Sequence, residues 1–301
     1  MTLPVLSVSL AARIGYARNA LLGRLMPIRT ARRLASQFRT PRRLLSQKPR
    51  RPEELAVLLN ARPLCLRFDG LDLAGYEWRP RYGASDGAPI LLMHGWEGRA
   101  SQFAQLIESL LRRGHRVIAF DAPAHGDSPG AQSTVGAFAD LVLEIDHAHG
   151  PFHAAIGHSM GGAAVMAAAT RGLRAEKVVA ISAPASLRRA ATSGARALGL
   201  PERALRPFLG FVAEANGRPL EALDYDRLLP PPDLAVLLLT DPRDNEVPAS
   251  ESAAVAGVWP NARLRHIAGV GHRRILAAEN TQRLVIDFIG EVSPSGLAVA
   301  S

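Results

Sequence analysis

Ser159 sits where a hydroxyl could be made into a nucleophile. It lies in Gly157-His158-Ser159-Met160-Gly161, with glycine two residues to either side. A turn tight enough to hold a serine in a strained backbone closes only if those two neighbours lack bulky side chains. The strain aims the hydroxyl outward, and a helix starting behind it offers N–H groups and positive dipole to an oxyanion. The flanks predict that context. Phe152 to Ile156 is an apolar, strand-like run, and Ala163-Ala164-Val165-Met166-Ala167-Ala168-Ala169 is a small-residue helix. A serine hydroxyl is a weak nucleophile at neutral pH, so it needs an adjacent base.

Strand, G-x-S-x-G turn and helix together resemble the α/β-hydrolase family, over about residues 62–291 and with the family's motifs in order. The resemblance implies that Ser159 is the nucleophile and that its base is His272, in Gly269-Val270-Gly271-His272 between the last strand and the last helix. Eight other histidines fall in motif turns, in strands or near Gly150, without metal-ligand spacing. The acid should leave the preceding strand. Asp244-Asn245-Glu246-Val247-Pro248 fits the family pattern of Asp, two variable residues and Val-Pro, so Asp244 is preferred. Asp241, where many relatives have glycine, is the alternative. The oxyanion donors implied are the backbone N–H groups of Met160 and, from the His94-Gly95-Trp96 turn, Trp96. The loop Asp121 to Ser128 resembles a recurring structural loop of the family.

The chemistry implied is attack by Ser159, an acyl-enzyme, and deacylation by water activated through His272. Relatives with an aspartate nucleophile do not fit, because Ser159 fills that position. An apolar cap face and Trp96 favour an apolar acyl group, hence a carboxylesterase or lipase-like enzyme on a small-molecule ester. Thioesterase, peptidase, carbon–carbon hydrolase and acyltransferase activities use the same constellation. A non-catalytic, membrane-associated binding protein is the reading from another class. No metal or organic cofactor is implied.

The elements that must carry these groups alternate in type. Short apolar runs at Ala88–Met93, His115–Phe120, Phe152–His158, Lys177–Ser182 and Leu234–Leu239 read as buried strands, with helical patterns between them. Such alternation predicts an α/β fold with a doubly wound, mostly parallel sheet whose ligands bind at the carboxyl ends of the strands. Leu64–Phe68 and Leu73–Arg79 around Asp69-Gly70 predict an antiparallel edge. Ile275 to Ile289 reads as one closing helix, and residues 292–301 as a frayed tail. Between Ala183 and Asp233 the rhythm breaks into about fifty helical residues, with Leu205, Phe208, Leu209 and Val212 on one face. The resemblance makes this a helical cap insertion, residues 184–233.

The chain has 301 residues and a formal net charge of +9, but the charge is uneven. Residues 1–52 carry twelve of the 36 Lys and Arg and no Asp or Glu, leaving 24 basic against 27 acidic residues in the rest. The reading is therefore a basic N-terminal helical extension, residues 1–55, on a hydrolase domain of residues 56–301. Leu10, Ile14, Ala17, Leu21, Leu25 and Ile28 recur at helical spacing among arginines. That pattern suits a helix resting on an anionic membrane, an organellar transit segment, or an arm packed on its own domain. Nucleic-acid binding is disfavoured, since no aromatics interleave the basic run. No apolar run is long enough for a membrane span, so the expectation is a cytoplasmic enzyme with peripheral membrane contact through residues 1–50 as one option. Oligomeric state is not legible. Cys65 sits in an apolar run and is expected to be a packed core thiol.

Overall fold

The computed structural model describes residues 10–42, 49–81 and 87–291. The tail expected at 292–301 lies outside them. Two helices, α1 (Leu10–Leu25) and α2 (Pro27–Phe38), precede α3 (Pro52–Leu59) and the edge hairpin β1 (Arg62–Phe68) and β2 (Leu71–Trp78). Then come β3 (Ile90–Met93), α4 (Ala104–Arg112), β4 (Val117–Phe120), α5 (Val135–His149), β5 (Phe152–His158), α6 (Met160–Ala169) and β6 (Ala175–Ile181). Helices α7 (Leu187–Ala197) and α8 (Glu202–Ala215) separate β6 from β7 (Ala235–Thr240). The chain closes with α9 (Ala249–Ala256), β8 (Ala262–His266), the helical turn α10 (Gly271–Arg274) and α11 (Glu279–Gly290).

The eight strands form one sheet in the order β1-β2-β4-β3-β5-β6-β7-β8. β2 runs antiparallel to both β1 and β4, and from β4 to β8 every pairing is parallel. Parallel strands are covered by crossover helices on both faces, which is why β3 and β4 are apolar at every position and fully buried. Alternate residues of one strand feed different cores. Leu91 and Met93 of β3 join the side holding α2, α5, α6 and α8, whereas Ile90 and Leu92 join the side holding α4 and α11.

Two expectations change. Cys65 is exposed, because it lies on the outer face of the edge strand β1, where residues alternate between exposed and half-buried. The closing helix is broken. Ile275–Ala277 is a tight 3-10 turn that buries Ile275 and Leu276, Ala278 is extended, and the helix restarts at Glu279.

Helix α2 contributes Ala31, Leu34 and Ala35 to the main core and packs along α8. Phe38 meets the Phe208 ring edge-on at 5.9 Å, and the Arg32 guanidinium lies 5.0 Å from the Phe211 ring centre. On α8, Leu205, Phe208 and Val212 are buried, as their spacing predicts, while Leu209 of the same predicted face is half-buried.

Candidate active site

Ser159 closes β5 and caps α6, and its backbone takes φ of 53° and ψ of −121°. The two glycines are obligatory for steric reasons. A Cβ on Gly161 would run into the carbonyl oxygens of Met93 and His94, and one on Gly157 into the backbone of Gly161 and Gly162. Gly95 brings the β3 loop equally close, since a Cβ there would stand 2.9 Å from that of Ser159. Met160 directly follows the serine, and neither its backbone N–H nor that of Trp96 has a protein acceptor among the described residues.

His272 reaches the serine from α10. Its Nδ1–H donates to Asp244 Oδ2 at 2.8 Å, which leaves Nε2 to accept from Ser159 Oγ at 3.0 Å. Both His272 and Asp244 are buried. Burial alone would raise the Asp244 carboxyl, but hydrogen bonds from His272 and from the N–H groups of Val247 and Glu246 hold it below the usual range.

The two candidate aspartates have separate partners. Asp241 Oδ2 accepts from the N–H groups of Val270 and Gly271 at 2.7 and 2.6 Å, and its Oδ1 from that of Arg243 at 2.9 Å. Backbone donors, Gly271 and Arg243 foremost, bring its pKa down to about 2. Asp241 thus ties down the loop that presents His272, and Asp244 holds the ring. His158 also serves this loop: its Nε2–H donates to the His272 carbonyl at 2.8 Å. Burial, then the nearby His272, lowers the His158 pKa to about 3, so this ring stays neutral.

The other motif residues are structural. His94 accepts the Ala122 N–H at 3.0 Å and donates to the Gly95 carbonyl at 2.7 Å. Asp121, raised to about 6 chiefly by burial, accepts from the N–H groups of Ala100 and Asp127. Asp127 pairs with Arg50 and Tyr76, not with a histidine. Among the described residues no group of three or more His, Cys, Asp or Glu converges as metal ligands would.

A small cleft is lined by Phe38, Arg39, Trp96, Met160, Leu187 and Val212 together with Ser133, Thr134 and Asn216, Met160 being the residue after the serine. Helix α2 and the residue after it therefore form part of its wall. The N-terminal segment also grips the Trp96 loop. Glu97, buried and at φ of 56°, accepts from the Arg42 backbone N–H and side-chain Nε, both at 2.9 Å. Sequence reasoning missed these roles. Nothing local in Arg42 or Glu97 announces a pairing 55 residues apart. The Asp241 turn did carry a signal, Asp-Pro-Arg, whose aspartate commonly caps the N–H two residues on.

Residues 90–287 match the family described as Alpha/beta hydrolase family, well over half the chain. The chain belongs to that family. The sn-1-specific diacylglycerol lipase ABHD11 of Danio rerio is 33% identical over 114 residues, 36% of this chain and 32% of that protein. The chain therefore matches only about a third of that relative's length. "Putative carbamate hydrolase RutD" of Variovorax paradoxus is 26% identical over 257 residues, 72% of this chain and 97% of that protein. The structure of alpha/beta hydrolase domain-containing protein 10 from mouse superposes with a TM-score of 0.59 at 24% identity, covering 76% of this chain and 97% of that one. That likeness shows the shared fold. Its relatives thus include proteins named as a lipase and as a putative carbamate hydrolase.

Proposed function

We propose that Ser159, His272 and Asp244 are a catalytic triad that hydrolyses small carboxylic esters through an acyl-enzyme. The observation that carries this reading is the unbroken chain of two hydrogen bonds, Asp244 to His272 at 2.8 Å and His272 to Ser159 at 3.0 Å. In the first half-reaction Ser159 Oγ bonds to the ester carbonyl carbon while its proton passes to His272 Nε2. The carbon–oxygen bond to the alcohol then breaks, and His272 returns the proton to the departing alkoxide. In the second, His272 takes a proton from water, the hydroxide attacks the acyl carbon, and Ser159 leaves with that proton. Asp244 keeps its charge throughout and fixes the ring with Nε2 facing the serine. The N–H groups of Met160 and Trp96 stabilise the oxyanion, where losing one donor typically costs about 2.7–4 kcal/mol.

Phe38, Trp96, Leu187 and Val212 in the cleft that Met160 shares support an apolar acyl group. A chain-length series of nitrophenyl esters tests it: turnover should be measurable for the wild type, graded with acyl length, and lost in Ser159→Ala. Equal hydrolysis by wild type and Ser159→Ala would reject it.

A further inference from the structure

Helix α1 turns its apolar side to solvent. Leu10, Ile14, Leu21 and Leu25 are 73%, 59%, 58% and 69% exposed. At 3.6 residues per turn they and Ala17 fall in one stripe about 80° wide. The opposite side carries Gly15, Asn19 and Gly23, and it is this side that packs. Asn19 Nδ2 donates to the Leu198 carbonyl at 2.7 Å, and Gly23 lies against the Pro201 ring. A helix that served only to seat itself on the domain would bury its leucines and expose its small and polar residues. This one does the reverse. Met26 and Ile28, also exposed, extend the apolar surface past the end of the helix.

The arginines are placed to match. On the same helical wheel Arg13 and Arg24 border one edge of the stripe and Arg18 the other. Residues 1–52 contain no acidic side chain to neutralise them. An apolar stripe with cationic margins is the pattern of a helix that lies in a membrane interface. A second copy of the chain fits poorly. A two-fold contact at this stripe would set the same arginines against one another with no carboxylate between them. A nucleic acid would leave the leucines unburied.

We propose that α1 docks this enzyme on an anionic lipid bilayer. The leucine and isoleucine side chains enter the acyl boundary, while Arg13, Arg18 and Arg24 meet lipid phosphates at the interface. This holds whichever acyl substrate the cleft takes, and it does not depend on the triad.

Full-length protein is sedimented with phosphatidylcholine vesicles, with and without phosphatidylserine, beside two variants. One carries Leu21→Ser and Leu25→Ser, the other Arg13→Gln, Arg18→Gln and Arg24→Gln. These side chains are solvent-facing, so both variants should keep the wild-type melting temperature. The expected result is binding to the serine-lipid vesicles alone, weakening with salt and at least about tenfold weaker in each variant. No binding by wild type, or binding unchanged in both variants, overturns the proposal. So does a wild-type dimer that becomes monomeric in the leucine variant without any vesicle binding, which would make the stripe an interface between copies.

Discussion

Asp241 accepts the backbone N–H of Gly271 at 2.6 Å, one residue before His272. Three residues along, Asp244 holds the His272 ring itself. One carboxylate positions the loop and the other positions the base. They should therefore fail differently.

Asp244→Asn should keep the fold and lower kcat by about 10⁴, because the amide favours the wrong imidazole tautomer. Asp241→Asn should chiefly lower stability, by about 1–3 kcal/mol, since an amide N–H₂ would face backbone donors. Thermal melts alongside ester kinetics separate the two. Activity lost at an unchanged melting temperature in Asp241→Asn would reverse the assignment.

Acid should destabilise this protein early. His94, His125 and His158 are buried, and desolvation lowers their pKa values to about 3, 4 and 3. The unfolded chain binds protons on these rings below about pH 6.5, while the folded one does not. Their contribution is complete above that pH and is lost as pH falls toward 3. Asp241, lowered to about 2, adds a further loss below about pH 4. The melting temperature should fall steadily from pH 6.5 to pH 4, and a flat profile between pH 7 and pH 5 would count against neutral buried rings.

Gly161→Ala should cost about 1–3 kcal/mol or prevent folding, through overpacking. The added methyl would strike the Met93 and His94 carbonyls and push the Trp96 loop from the serine. Ester turnover should fall along with the melting temperature. A variant as stable and active as wild type would show that the turn has slack.

The N-terminal helices should divide sharply in their effect on stability. Leu34 of α2 is 1% exposed within the main core, so Leu34→Ala should cost about 2–5 kcal/mol. Leu21 of α1 faces solvent, so Leu21→Ala should stay within about 0.5 kcal/mol of wild type. Urea titrations of both variants check this. Equal, small effects would mean that α2 is a detachable arm.

What was legible in the sequence follows from where its information is local. The sheet could be read because each central strand is a short apolar run, and the serine turn because its glycines are spaced by a steric need confined to five residues. The meeting of His272 with Ser159 was legible through chain order, and that of Asp244 with His272 through the family's pattern of Asp, two variable residues and Val-Pro, since chain order alone fits Asp241 as well. Arg42 on Glu97 and Phe38 in the cleft wall were not, because each depends on how a distant segment lies across the fold. Periodicity showed that α1 has an apolar stripe but not which way it faces. That was decided by Asn19, which bonds the Leu198 carbonyl, and Gly23, which lets the opposite side approach the Pro201 ring closely. Cys65 misled for a related reason: an apolar run on an edge strand still presents every second residue to water.

The central claim is that Ser159 is an activated nucleophile. Wild-type protein, Ser159→Ala and His272→Ala would each be treated with a fluorophosphonate probe, and the adduct located by peptide mass spectrometry. The account predicts rapid labelling at Ser159 in the wild type, none in Ser159→Ala, and labelling slowed by several orders of magnitude in His272→Ala. Folded wild-type protein left unlabelled, or labelled as fast without His272, would contradict it.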